Sequence, residues 1–131
     1  MTTRRQRLKK LVLVQEQLKA LHETRHATFL SQAHSAEAEA RELAEQFDAP
    51  GSLAGLFSDL YHRRIANAVE RQQANLESAR QEAGRIVAAT VRTNMVERTY
   101  RDVSRRDERE QSDRDRLDLI GQKRTNEQGS S

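Results

Sequence analysis

Apolar or small residues return every three or four positions along two stretches of the chain, residues 8–47 and 57–103. Between them lies the segment DAPGSLAG, residues 48–55, which contains the only proline and two of the five glycines. A three-four spacing is typical of amphipathic helices, and proline followed by glycine marks a break between helices. The pattern predicts an all-α fold of two long helices forming an antiparallel coiled-coil hairpin, with a helix over 4–47, a turn over 48–56 and a longer helix over 57–120.

The first predicted helix has two apolar stripes that differ in phase by one residue. Leu11, Val14, Leu18 and Leu21 form one stripe. The second comprises Phe29, Ala33, Ala36, Ala40, Leu43 and Phe47. They meet near Arg25, and such a shift resembles a stutter, which locally unwinds a supercoil.

The second predicted helix has an apolar face that begins directly after the turn. Its members are Phe57, Leu60, Tyr61, Ile65, Ala68, Val69, Leu76, Ala79, Ala83, Ile86, Val87, Val91, Val96, Tyr100 and Val103. If Phe47 faces Phe57, the antiparallel register places Leu43 opposite Tyr61 and Leu18 opposite Ile86. Large residues then meet large ones, which supports the pairing.

The second helix is expected to extend beyond its partner into a charged segment. Residues 104–116 contain five acidic and five basic side chains and no apolar residue. Opposite charges four positions apart stabilise an unpaired helix by only about 0.2–0.5 kcal/mol each. An apolar cluster of Leu117, Leu119 and Ile120 follows, and Gly121 is expected to end the helix before a disordered tail over 121–131.

Composition favours a coiled coil over a compact globule. Charged residues make up 33% of the 131-residue chain and hydrophobic ones 35%, the net charge is +3, and there is no cysteine. Disorder is the competing interpretation for the segment beyond residue 103. The longest apolar run, residues 11–14, is too short for a membrane span. The basic start also resembles an organellar presequence, but the same periodic helix continues through it to residue 47.

No motif in the chain predicts catalysis or a cofactor, and we expect neither. His22 and His26 lie four residues apart, a spacing that can hold a metal, yet no further ligand completes the set, so solvated or seam-edge histidines are the better interpretation. The basic start could bind nucleic acid, or a membrane surface through Leu8, Leu11, Val12 and Val14. The membrane interpretation requires these residues to serve two surfaces at once.

The basic start RRQRLKKLVLVQEQ, the hairpin with a brief break, and the charged finish RRDEREQSDRDRLDLIGQKR together resemble the FliJ family. This is the small stalk protein of bacterial flagellar type III export, with YscO as its injectisome counterpart. The likeness covers about residues 4–124. It implies a non-enzymatic cytoplasmic protein, peripheral to the inner-membrane export apparatus, that couples the export ATPase to delivery of substrates and chaperones.

The resemblance also implies two partner-binding surfaces. The end with the paired termini would enter the export ATPase ring, and its basic residues are Arg4, Arg5, Arg7, Lys9, Lys10, Arg101, Arg105, Arg106 and Arg109. A flank early in the second helix would meet the cytoplasmic domain of the export gate, through Phe57, Leu60, Tyr61 and Arg64. The alternatives are a generic coiled-coil scaffold, a nucleic-acid-associated helical protein, or the equivalent stalk of an injectisome.

Overall fold

A computed structural model describes residues 3–129 as two long helices in an all-α hairpin. Helix α1 is Arg4–Asp48 and helix α2 is Ser58–Gly129, with a short 3-10 helix, Leu53–Gly55, between them. By its internal contacts the chain divides into two units. We call residues 16–90 the turn unit, and residues 3–15 together with 91–129 the terminal unit. The predicted fold class is confirmed.

The reversal between the helices is built on Pro50 and Gly51. The amide of Ser52 donates to the carbonyl of Ala49 at 3.2 Å, and Gly51 has a φ of +76°. Proline in second place and a positive φ in third are the features of a type II turn, and only glycine adopts that φ without strain. Ser52 then caps the 3-10 helix, because its hydroxyl accepts from the Ala54 amide at 3.0 Å.

In the turn unit the helices bury one face each, and the spacing of that face alternates between three and four residues without interruption. On α1 the buried and half-buried positions that follow this spacing are Lys19, His22, His26, Phe29, Ala33, Ala36, Ala40, Leu43 and Phe47, and Glu37 and Ala44 are half-buried beside them. On α2 they are Tyr61, Ile65, Ala68, Gln72, Asn75, Ala79, Glu82, Ile86 and Ala89, and Ser58, Ser78, Ala83 and Thr90 are half-buried beside them. We call the two sets that follow this spacing the seam. The expected stutter near Arg25 is absent from it.

The apolar stripe predicted at the start of α1 does not lie in the seam. Leu11, Val14, Leu18 and Leu21 are 41%, 48%, 40% and 44% exposed. The polar His22 and His26 are half-buried instead. The small buried alanines Ala33 and Ala36 fix which side of α1 contacts α2. When α1 keeps this side towards α2 over its whole paired length, the residues next to the leucines, and not the leucines themselves, face α2. Val69, Leu76, Val87 and Val91 on α2 are likewise exposed rather than in the seam.

Near the turn, Phe47 packs on Tyr61, one helical turn from its predicted partner Phe57. The two ring centroids are 6.2 Å apart, and Phe57 is 54% exposed. Phe57 precedes α2, so it belongs to the connection rather than to a paired helix. Further along the turn unit His22 bonds Glu82, which the predicted register does place opposite each other.

In the terminal unit, the start of α1 packs against the middle of α2. Leu8, Val12 and Gln15 of α1 are half-buried, as are Val96 and Tyr100 of α2, while Thr93 and Val103 are buried. Beyond Ser104 every described residue is exposed. Helix α2 nevertheless continues to Gly129, through the segment for which a tail was expected. Gly121 lies inside the helix, where its carbonyl accepts from the Thr125 hydroxyl at 2.8 Å.

Candidate protein-interaction surfaces

The terminal unit concentrates the positive charge of the chain. Its described residues contain fifteen basic and nine acidic side chains, whereas the turn unit contains eight basic and eleven acidic. Ten of the basic side chains and only two of the acidic ones lie in residues 3–15 and 91–106. The ten, which we call the basic cluster, are all exposed. They are Arg4, Arg5, Arg7, Lys9, Lys10, Arg92, Arg98, Arg101, Arg105 and Arg106. Helix pairing therefore assembles positive charge from two distant parts of the sequence.

Arg5 and Tyr100 join the two helices of the terminal unit. The Arg5 guanidinium lies beside the Tyr100 hydroxyl and lowers the pKa of that phenol from its usual value, because positive charge favours the phenolate. The first turn of α1 therefore lies next to Tyr100 of α2, and basic residues of both helices meet at this end of the hairpin.

The remaining predicted residues of this end lie further along α2. Arg105, Arg106 and Arg109 line a shallow depression together with Asp102. Arg101 is 3.9 Å from Glu97 one turn away, an exposed pair that stabilises the helix only slightly. Arg109 belongs to the mixed-charge segment, where acidic neighbours offset its charge, so it lies outside the basic cluster.

The second predicted surface lies at the turn, and the structure changes its membership. Tyr61 is half-buried against Phe47, with the rings tilted by 58°, and is part of the seam. Phe57 and Leu60 are 54% and 40% exposed, and Arg64 is exposed. Sequence reasoning missed two further apolar residues, Leu53 at 65% and Leu56 at 78% exposure. We call Leu53, Leu56, Phe57 and Leu60 the turn surface.

A signal for the two missed leucines was present in the sequence. Leu53 and Leu56 lie in the break between the helices, where neither apolar periodicity can account for them. Ala54, between them, is 1% exposed and anchors the 3-10 helix. A contiguous group of exposed apolar residues indicates a contact surface, and Leu53 and Leu56 lie close in sequence to exposed Phe57 and Leu60.

A buried polar cluster lies in the seam of the turn unit. Nδ1 of His22 is 2.7 Å from Oε2 of Glu82, which is 2% exposed, and Arg85 donates to the other carboxylate oxygen. Since a carboxylate only accepts, the Nδ1 of His22 carries the proton of this bond. Burial raises the pKa of Glu82, but the bonds from His22 and Arg85 lower it more, and the net direction is down.

The two histidines His22 and His26 lie at the edge of the seam. The expected seam-edge position of His22 and His26 fits their half-buried state. Within residues 3–129, no group of three or more histidine, aspartate or glutamate side chains is arranged to hold a metal ion. Glu82, the residue that His22 contacts, was not singled out from the sequence, although it lies at seam spacing between Ala79 and Ile86.

No helix in the described part of the chain is both long enough and apolar enough to cross a membrane. The chain matches no protein-family model, no curated protein and no solved structure. The surfaces themselves therefore have to carry the functional argument.

Proposed function

We propose that this chain is a non-enzymatic coiled-coil component of bacterial flagellar type III protein export. In this role its terminal unit binds the export ATPase ring and its turn surface binds the cytoplasmic domain of the export gate. The chain couples the ATPase to delivery of substrates and their chaperones, and works in the cytoplasm beside the export apparatus. The stalk of an injectisome would perform the equivalent task.

The observation that carries the proposal is the basic cluster. Ten basic side chains against two acidic ones create a positive potential that accelerates encounter with an acidic surface. Five of the ten come from the start of α1 and five from α2. The start of α1 packs against α2 through half-buried Leu8 and Val12, so the basic residues of the two helices are held together before a partner binds, which reduces the entropy that binding would otherwise lose.

The turn surface supports a second partner. Phe57 is more than half exposed although an aromatic side chain gains much from burial, and Leu53 and Leu56 are more exposed still. Aromatic side chains such as Phe57 are enriched in protein interfaces relative to the rest of the surface. The four side chains of the turn surface are apolar, so we expect apolar contact to dominate binding of its partner, in contrast to the electrostatics of the basic cluster.

The proposal is tested by binding to a cognate export ATPase. Replacing Arg101, Arg105 and Arg106 by Glu should weaken capture of the ATPase at least tenfold and make the residual binding insensitive to salt, because the charges that steer the encounter are reversed. A matched control is Arg80→Glu, an equally exposed arginine in the turn unit. That variant should bind as the wild type does.

Separate variants test the gate contact. Phe57→Ser with Leu56→Ser should abolish binding to the gate domain and leave ATPase capture intact. Failure of the wild-type chain to capture the ATPase, or equal loss with Arg80→Glu, would contradict the export proposal. Salt-sensitive binding to duplex DNA in its place would favour a nucleic-acid-associated coiled coil.

A further inference from the structure

Exposed apolar side chains of the turn unit form a line beside the seam. On α2, Val69 and Leu76 are 36% and 42% exposed, and each directly follows a seam residue. Half-buried Ala83 follows seven residues later. On α1, Leu30 directly follows the seam residue Phe29 and is 43% exposed. Residues seven apart lie on the same side of a paired helix, so the three residues of α2 occupy one flank.

An ion pair shows which sides of the two helices lie together. Where two seam residues are four apart, the first residue between them lies on one flank of the helix and the third lies on the other. Glu39 and Arg71 are both third residues, and their carboxylate and guanidinium are 2.6 Å apart. Third residues of α1 and α2 therefore share one flank of the turn unit. Leu30, Val69 and Leu76 are first residues, so they share the opposite flank.

The register between the helices brings two of these leucines to the same level. One fixed point is that ion pair, and the other is the bond between His22 and Glu82. Leu30 lies about midway between the two contacts along α1, and Leu76 lies about midway along α2. Further apolar residues lie one helical turn away on the same flank. We call the whole set the apolar flank, which comprises Ala27, Leu30, Ala66, Val69, Leu76, Ala83 and Val87.

The opposite flank of the same helices is polar. Its third residues, taken from both helices, are Arg25, Gln32, Glu39, Arg71, Ser78 and Arg85. Gln32, Ser35 and Arg71 line a shallow depression on this side. Helix surfaces that face only water are normally polar, so the polar flank is the ordinary case and the apolar flank is the exception.

The apolar side of α2 is also turned away from the centre of the seam. Gln72 and Asn75 occupy seam positions and are half-buried, while Val69 and Leu76 beside them are exposed. Two paired helices need only a narrow apolar stripe, whereas a helix in a larger bundle has a further apolar line next to that stripe. Helix α2 therefore has the pattern of a helix with a neighbour on the apolar flank in addition to α1.

We propose that two copies of this chain pack together through the apolar flank, so that two turn units form a four-helix bundle. In a symmetric dimer the same surface lies on both sides of the contact. Leu30 and Leu76 of each copy then lie in the interface, where they are removed from water. The inference does not rest on the export proposal, because the apolar flank shares no residue with the basic cluster or the turn surface.

The size of the apolar flank suits a second hairpin better than a single helix. The 22 residues from Ala66 to Val87 extend for about 33 Å, and two helices side by side are about 20 Å wide. The product, about 650 Å², is close to the roughly 800 Å² that each partner buries in a standard interface. One helix, about 10 Å wide, would cover half of this width. A second turn unit matches the whole of it.

The charges that border the apolar flank permit contact with an identical surface. They are Glu23 and Glu37 on the acidic side and Arg41 and Arg80 on the basic side, so they cancel. A symmetric contact brings each surface against its own copy, and a surface with a large net charge would repel itself. The basic cluster, with ten basic and two acidic side chains, has such a charge. The apolar flank does not.

The test is the mass of the full chain by sedimentation equilibrium at micromolar concentration, which should be twice the 15.0 kDa of one chain. Leu30→Glu with Leu76→Glu should raise the dissociation constant about 100-fold or more, because apolar contact is lost and a carboxylate enters the interface at each position. Val87→Glu alone should raise it about tenfold. Val87 is 65% exposed, so the hairpin itself does not depend on its packing.

The matched control is Leu18→Glu with Leu21→Glu. These leucines are 40% and 44% exposed, like Leu30 and Leu76, but each directly precedes a seam residue on the opposite flank. The control should remain a dimer, and circular dichroism should give the wild-type helix content for every variant. A monomeric wild-type chain overturns the proposal, as does equal dissociation by the control. Binding of an export chaperone by that monomer through Leu30 and Leu76 would assign the apolar flank to another protein.

Discussion

The two halves of the turn unit pack α1 against α2 with different side chains. The alanine half, residues 29–47 with 61–76, buries Ala33 and Ala36 at 3% exposure and Ala68 at 0%. The histidine half, residues 16–28 with 77–90, keeps alanines on α2 but presents half-buried Lys19, His22 and His26 from α1. Within this second half the leucines Leu18 and Leu21 lie outside the seam.

The comparison shows that the rotation of a helix about its axis, which is fixed by its closest contacts, decides which residues are buried even where more apolar residues lie beside them. Once small residues bring two backbones close, each helix is held in one rotation about its axis. Moving the contact face by one residue requires a rotation of about 100°, which would separate the alanines. The histidine half therefore has polar residues in its seam, and the bond between His22 and Glu82 satisfies two of them.

The largest effect is expected from enlarging the closest contact in the alanine half. Ala68→Leu adds a branched side chain where none of the residue is exposed, and overpacking of this kind costs about 1–3 kcal/mol of unfolding free energy. Urea unfolding followed by circular dichroism measures it. The control Ala66→Leu, at an exposed position two residues away, should change stability little. Equal losses at both positions would mean that the alanines do not set the approach of the helices.

In the histidine half the expected effect depends on pH. The pKa of Glu82 is lowered in the folded chain, so its ionised form stabilises the fold above the pKa of an unfolded glutamate, about 4.3, and this stability disappears as the pH falls through the lower folded value. At pH 7, Glu82→Gln should melt below the wild type. The difference between their melting temperatures should shrink as the pH falls below about 4.3, the pKa of an unfolded glutamate, and towards the lower pKa of the folded chain.

The other carboxylates are common to both proteins, so they cancel in that difference. Glu77→Gln is the matched control, because its carboxylate forms an exposed pair with Arg80 in the same half. It should melt close to the wild type at every pH. A Glu82→Gln variant whose melting temperature runs parallel to the wild type through this range would show that the buried carboxylate contributes nothing to the seam.

The sequence was sufficient for the fold class and for the position of the break, because periodicity and the Pro50–Gly51 pair are local signals. It was not sufficient for the seam of the histidine half. Leu18 and Leu21 satisfy the same spacing as His22 and His26, and apolarity favoured the leucines. The choice depends on the phase imposed by alanines several turns away, which a local window does not contain.

The residues of the two interaction surfaces could also be predicted only in part from the sequence. The basic residues of both helices were predicted individually, since charge is visible in the sequence, but Arg92 and Arg98 join the cluster only because α2 packs against the start of α1. Tyr61 was expected to meet a partner and instead packs on Phe47, at a centroid distance of 6.2 Å. Leu53 and Leu56 were overlooked because they lie in the connection, where periodicity carries no information.

The smallest loss of stability is expected at Leu21, one of the leucines that the apolar spacing placed in the predicted seam. Leu21→Ala removes a side chain that is 44% exposed, so we expect a loss of about 0.5–1 kcal/mol, against about 2–5 kcal/mol for a leucine in a packed core. Leu117→Ala, at 67% exposure beyond the paired helices, provides the baseline near zero. Chemical denaturation of the two variants gives the comparison directly. A loss above about 2 kcal/mol for Leu21 would place it in the seam, and the histidine half would then have to rotate by about one residue to bury its leucines.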